Sequence, residues 1–324
     1  MKLNETQTPL DDTLLKELSK ELKEELFDVI DTIEFVKRLI SPNRPRIADL
    51  PKDEEGKIIV DISNPHILED MDYFRQAAIH FQQYKTFTRI HPNTHPNSSY
   101  SRFWKEEARR CRDGLVREDG EWIPGSYYFY LNYSPILLTS KINKSGKSGT
   151  KILDFPHVYD GSYLYYHYKD QARKEGEHVA MLKRRGIGFS YTSGSDLARA
   201  FILGESSINT NNVTCFAIAN EKEYLTKDGI LNKFVHHVNW CAEHTPWSRL
   251  KLKDSYNEMQ WVMGYKNREG LVKGTQNSVI GVTTQGDPDK ARGKRGPLVY
   301  WEEFGKNPYL LQSWEIARHS VEDG

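Results

Sequence analysis

Disulfides, membrane spans and a dominant charge are all missing from this sequence. Its 324 residues hold three cysteines, Cys111, Cys215 and Cys241. An odd and widely spaced set makes neither a disulfide framework nor a zinc site, and it points to a reducing compartment. No run approaches the roughly 18 apolar residues that a membrane helix needs, so no membrane partner is expected. The first residues, Met1-Lys2-Leu3-Asn4-Glu5, lack the apolar core of a signal peptide. Lysine plus arginine and aspartate plus glutamate are equal at 45 each. No overall basic charge therefore advertises nucleic acid, and any site for a polyanion is local. Internal repeats and low-complexity tracts are absent too. What is present is 38% hydrophobic and 12% aromatic residues, enough for a core, and 28% charged residues for a solvated surface. The length fits one large or two medium domains.

The stretch from His178 to Gly204 organises the rest. His178-Val179-Ala180-Met181-Leu182 is a short apolar run and reads as a buried strand. Tyr191 to Gly204 reads as a helix: Leu197, Ala200 and Phe201 share a face, and Gly204 is a stop. Between them lie three cations (Lys183, Arg184, Arg185), two glycines (Gly186, Gly188), Phe189 and Ser190. Strand, glycine loop, hydroxyl and helix form the context of a phosphate-binding loop. Glycines let the backbone approach an anion closely, and N–H groups at the start of the helix face it. Ser190 opens the helix, where its hydroxyl can ligate Mg2+. Against the pattern G-x-x-x-x-G-K-[ST], Gly188 and Ser190 match, while Lys183 takes the first glycine slot and Phe189 the lysine slot. The cation has moved to the front of the loop. A basic strand-to-helix turn with no ligand is the competing reading.

Several other segments have readable periods. Leu15, Leu18, Leu22, Leu26, Val29, Ile33 and Val36 step by three or four, giving an amphipathic helix that packs on its own domain or docks a partner. Residues 41–65 read as a connector, and Pro65 to Phe87 as a helix. His91 and His95 have the spacing of two metal ligands on a helix, but Pro92 and Pro96 make this a loop. A helix is expected from Ser101 to Leu115, then a strand pair over 120–125 and Tyr127–Tyr133. Tyr159 to Lys174 reads as a helix, Val213 to Ile218 as a buried strand, and Glu221 to Trp247 as a long helical region. His236 and His237 there read as surface or core histidines. Strands return at 259–263, 270–273 and 278–283. Strands alternating with helices imply an α/β fold whose central sheet is mostly parallel. Lys141 to Ser148 ends in Gly146-Lys147-Ser148, closer in text to the phosphate-loop pattern. Its context is wrong, because Gly149, Thr150 and Pro156 leave no room for a helix, so 140–151 reads as a solvated hairpin loop.

Hydrolysis of a phosphate anhydride also needs a metal ligand and a base. Pro297-Leu298-Val299-Tyr300-Trp301 is an apolar strand ending in Glu302-Glu303. In a parallel sheet the C-terminal strand ends line one crevice, opposite the phosphate loop. Glu302 is assigned to Mg2+ and Glu303 to the attacking water. A solvated acidic turn is the plainer reading. The loop Lys290-Ala291-Arg292-Gly293-Lys294-Arg295-Gly296 just before this strand is either a solvated surface loop or a source of positive charge for a γ-phosphate or for DNA phosphates.

Together these residues resemble the N-terminal ATPase domain of the large terminase subunit of tailed bacteriophages. The likeness spans most of 101–324. It rests on Phe103-Trp104, Arg110-Cys111, the Tyr127–Tyr133 run, Lys183–Ser190, Ala291-Arg292-Gly293 and Leu298–Glu303. The resemblance implies a P-loop NTPase of the ASCE type, with residues 1–100 as an N-terminal helical extension and 101–324 as the ATPase domain. It implies an ATP- and Mg2+-dependent motor that drives double-stranded DNA into a procapsid. The implied partners are the portal protein, the small terminase subunit and further copies in a ring, typically a pentamer. The implied location is the host cytoplasm, at the portal vertex. The family's phosphate-loop cation falls on Lys183, helped by Arg184 or Arg185. Its arginine finger falls on Arg292 and its catalytic glutamate on Glu303. The adenine-contacting segment falls near Phe155-Pro156-His157 or Tyr159. The first acid of the strand is usually Asp in the family and is Glu302 here. The family's coupling motif and nuclease domain do not follow before Gly324, so DNA cleavage is not expected. A helicase-like ATPase and a non-catalytic assembly module remain as alternatives.

Overall fold

The computed structural model describes residues 71–118, 120–139, 151–183, 188–247 and 250–322. The amphipathic helix expected over 15–36, the connector at 41–65 and the loop at 140–150 lie outside these residues. The chain divides into two compact units: 1–43 with 88–105, and 44–87 with 106–324. In the described part of the first unit, residues 91–95 form a loop, as Pro92 and Pro96 require. It is closed by hydrogen bonds to the Asn93 carbonyl from Ser98 Oγ (2.8 Å) and Ser101 Oγ (3.1 Å).

The described residues begin with a 3-10 turn at Met71–Arg75 and α1 (Gln76–Tyr84), both in the second unit. The chain then runs through α2 (Ser99–Asp113), β1 (Leu115–Val116), β2 (Trp122–Ile123), α3 (Gly125–Tyr133), β3 (Ile136–Thr139), β4 (Lys151–Asp154) and α4 (Asp160–Glu175). Next come α5 (Phe189–Leu203), β5 (Thr214–Ala219), α6 (Lys222–Thr226), α7 (Ile230–His244), β6 (Lys251–Ser255) and β7 (Gln260–Met263). The last elements are β8 (Tyr265–Lys266), β9 (Val272–Lys273), β10 (Ser278–Thr283), β11 (Val299–Trp301) and α8 (Leu310–Glu322).

The main sheet has five strands in the order β11-β5-β10-β7-β6. β5 runs parallel to both β11 and β10, whereas β10 with β7 and β7 with β6 are antiparallel. The fold is therefore α/β with a mixed sheet, parallel over three strands only, rather than mostly parallel. β5 sits between two parallel neighbours, and its sequence Thr-Cys-Phe-Ala-Ile-Ala is accordingly apolar on both faces. On one face Phe216, Ile218 and Val282 pack with Ile280, Val299 and Trp301. α5 and α7 pack so closely that Gly194 has no room for a side chain. A Cβ there would lie 2.7 Å from Lys233 Cβ and 2.8 Å from the Phe234 nitrogen. Phe234 then bridges Phe201 and Trp261, with ring centroids 5.4 Å from each.

Two expected strands do not form. Tyr127–Tyr133 is helix α3, buried on every side. A run that is apolar all round carries no period, so strand and helix cannot be told apart by pattern. The helix is fixed from outside: the hydroxyls of Tyr128 and Tyr133 donate to Glu107 Oε2 at 2.6 and 2.7 Å. Asn132 accepts from the Ala78 N–H and donates to the Phe74 carbonyl. His178–Leu182 is irregular and exposed, with Leu182 fully open to solvent and Val179 and Met181 near 40% (44% and 39%). Among the described residues no strand lies beside it to complete a ladder. The region 221–247 holds two helices, broken where a Cβ on Gly229 would lie 1.9 Å from the Tyr224 carbonyl oxygen. The remaining expected strands appear at β2, β5, β7, β10 and β11, with only two-residue ribbons at β2 and β9.

Candidate functional site

The site lies at the C-terminal ends of the parallel strands. There β11 delivers Glu302, whose N–H donates to the Ile218 carbonyl of β5 at 2.8 Å. α5 begins at Phe189 after Gly188, whose φ of 78° is left-handed and natural for glycine. This turn puts Ser190 in the first turn of the helix. Ser190 Oγ donates to Glu302 Oε1 at 2.9 Å. Two residues 112 positions apart in the chain thus meet, and they are the two expected to ligate Mg2+.

Burial pushes the Glu302 carboxyl above the usual carboxylate range. The Ser190 hydroxyl and the Lys183 ammonium oppose that rise, and the Glu303 carboxylate adds to it. The Lys183 charge is thus felt at the Glu302 carboxyl. Lys183 Nζ also stands 5.8 Å from the centroid of the Phe189 ring, an arrangement that favours a cation. The Phe189 ring in turn packs edge-on against Tyr165 of α4, centroids 5.0 Å apart. The aromatic in the lysine slot is a packing residue that fixes the start of α5. Arg184, Arg185 and Gly186 lie outside the described residues.

Glu303 follows Glu302 with a left-handed backbone (φ 50°) and pairs with Lys306 at 3.6 Å. The turn it begins is fastened to the sheet by Asn307, whose side-chain amide donates to Thr284 Oγ1 at 3.3 Å, just beyond β10. Arg292 is not drawn into this site. It ends the 3-10 turn Pro288–Ala291, is 70% exposed, and donates to Asp289 Oδ1 at 2.8 Å. His157 and Tyr159 are exposed with rings 6.5 Å apart, and Phe155 is buried against Phe81 and Trp240.

A buried polar network beneath Ser190 and Glu302 was not legible in the sequence. Asp196 of α5 is fully buried. It accepts from Lys169 Nζ of α4, from Tyr300 OH of β11 at 2.7 Å, and from Arg199 Nε at 3.1 Å. Arg199 continues to Glu205 at 3.0 Å, and Glu205 accepts from Arg173 at 2.8 Å. Burial alone would raise the Asp196 carboxyl, but Lys169 and Arg199 outweigh it and hold the group well below its ordinary range. The i,i+3 spacing of Asp196 and Arg199 is the one hint available in the chain. Behind the helix, His237 lies buried against Tyr191 and His236, with centroids at 6.0 and 5.3 Å. It is a core histidine.

Ser190, Glu302 and Lys183 are a donor set that suits a hard divalent cation held against a phosphate: oxygen ligands with an ammonium beside them. Among the described residues no group of three His, Cys, Asp or Glu gathers as an all-protein metal site. Among the described residues, too, no helix is long and apolar enough to cross a membrane. In comparisons with known proteins the chain matches no protein family, no curated protein and no solved structure.

Proposed function

We propose that Lys183–Ser190 and Glu302-Glu303 form the nucleotide site of a P-loop ATPase of the ASCE type. The further reading is a motor that couples ATP hydrolysis to translocation of double-stranded DNA into a procapsid, as in the large terminase subunit. The observation that carries it is the 2.9 Å hydrogen bond from Ser190 Oγ to Glu302 Oε1. It joins the helix-start hydroxyl and the carboxylate at the end of β11 that this reading assigns to the cation.

Each residue then has a task. Gly188 lets the chain enter α5 with N–H groups facing the phosphates. Lys183 neutralises phosphate charge from the front of the loop. Ser190 Oγ and the Glu302 carboxylate would hold Mg2+, which when bound would supply positive charge to offset that of the phosphates. Glu303 orients a water and accepts its proton as the water oxygen bonds to the terminal phosphorus and the bond from that phosphorus to the bridging oxygen breaks, with ADP leaving and phosphate formed. The exposed Arg292 serves a neighbouring copy's nucleotide in a ring rather than its own. DNA, the portal protein and the small terminase subunit are the partners this reading assigns.

The test is ATP turnover by the purified chain, with and without duplex DNA and portal. Glu303→Gln keeps the shape of the side chain but removes the base. Turnover should fall by two orders of magnitude or more, about the range of general-base catalysis, while nucleotide binding persists. Undiminished turnover in Glu303→Gln would remove the role assigned to it.

A further inference from the structure

Ser190 and Glu302 sit on different elements, and neither element alone fixes their separation. Tyr300 lies on β11 and Glu302 immediately follows that strand's end. The Tyr300 hydroxyl donates to Asp196 at 2.7 Å, and Asp196 lies six residues after Ser190 on α5. The strand leading to one proposed metal ligand is thus tied to the helix bearing the other, about 1.7 turns below the site. Lys169 closes the tie from α4, bonding to Asp196 and lying 3.5 Å from the Tyr300 hydroxyl. Tyr165, one turn earlier on α4, lies 3.4 Å from the same hydroxyl and packs its ring on Phe189 at the start of α5. Asp196 and Tyr165 are buried, and Tyr300 and Lys169 are partly buried. A buried carboxylate held by two cations and a phenol is costly to assemble and tolerates little displacement.

We propose that Asp196, Tyr300 and Lys169 form a positioning clamp that sets the distance between Ser190 and Glu302, and with it the affinity of the site for its divalent cation. This rests on the nucleotide–metal reading of the site. The three are positioning residues and touch no reacting atom.

Tyr300→Phe is the sharpest probe, since it removes one hydroxyl and leaves the ring. Partners behind metal ligands typically change metal affinity by about 10- to 100-fold. Mn2+ binding to the chain with a non-hydrolysable ATP analogue, followed by electron paramagnetic resonance, should weaken by about tenfold or more. Analogue binding in EDTA should stay within about twofold, because the clamp acts on the cation site. Lys169→Arg, which keeps the charge, should restore most of what Lys169→Met loses. It serves as the second variant if Tyr300→Phe unfolds. Unchanged Mn2+ affinity in Tyr300→Phe and in Lys169→Met, with the wild type binding normally, overturns the clamp. A wild-type chain that binds no nucleotide at all overturns instead the reading on which it rests.

Discussion

Gly194→Ala tests the packing that carries the site. Glycine inside a helix costs about 1 kcal/mol relative to alanine, so on propensity alone the change would stabilise α5. The structure reverses the sign. The new methyl would stand 2.7 Å from Lys233 Cβ, 2.8 Å from the Phe234 nitrogen and 3.0 Å from the Ile230 carbonyl oxygen. Two of these three atoms are backbone of α7 and cannot swing away. Overpacking of this kind costs about 1–3 kcal/mol, and with backbone neighbours the upper part of that range applies. The net loss is about 1–2 kcal/mol after the propensity gain. In a chain of 324 residues 1 kcal/mol moves the melting temperature by about 1.5 °C, so a fall of about 1.5–3 °C is expected. Circular dichroism during heating reads it directly. Gly161→Ala in the first turn of α4 is the control, for nothing lies within 4 Å of a Cβ there. That variant should melt at the wild-type temperature or slightly above. A Gly194→Ala melting temperature equal to or above wild type would refute the packing argument. Because Ser190 and Asp196 share α5 with Gly194, the variant should also bind nucleotide more weakly.

Lys183→Ala should lower nucleotide affinity about tenfold or more, the scale of one lost charge-assisted hydrogen bond, and Lys147→Ala should leave it unchanged; titration with a fluorescent ATP analogue distinguishes the two. Arg292→Ala should leave nucleotide affinity of the isolated chain intact, since the exposed guanidinium pairs only with Asp289 among the described residues, and should lower turnover only under conditions where copies assemble. Acid should destabilise the fold through two buried histidines. Burial lowers the His167 imidazole to about 3 and the His237 imidazole well below its usual value. The unfolded chain takes up these protons from about pH 6.5 and the folded chain does not, so stability falls as pH drops below 6.5, by up to about 1.4 kcal/mol per unit per histidine. For His167 the loss continues to about pH 3. Melting temperatures at pH 7 and pH 5 check it, and a flat profile would contradict it.

The sequence carried the parts of the fold whose physics is local. β5 and β10 are apolar runs between turn residues, α4 and α5 end at Gly176 and Gly204, and the loop at 91–95 follows from its prolines. Glu302 was expected opposite the glycine loop because strand ends share one crevice in a parallel sheet; Ser190 and Glu302 do meet, but the strand expected before the loop, His178–Leu182, does not form. What escaped was set by distant partners. Tyr127–Tyr133 is a helix because Glu107 and residues 74–78 receive its polar atoms, which no local period encodes. His178–Leu182 has the composition of a strand but no described neighbour to pair with. Asp196 and Tyr300 look like an ordinary helix acid and an ordinary strand aromatic until the fold places them 2.7 Å apart.

The most direct measurement is calorimetric titration of the chain with a non-hydrolysable ATP analogue, in Mg2+ and in EDTA. A triphosphate held between the basic turn and the paired glutamates predicts heat of binding that Mg2+ strengthens and that Ser190→Ala with Glu302→Ala abolishes. Absence of binding in Mg2+, or binding indifferent to that double substitution, would contradict it.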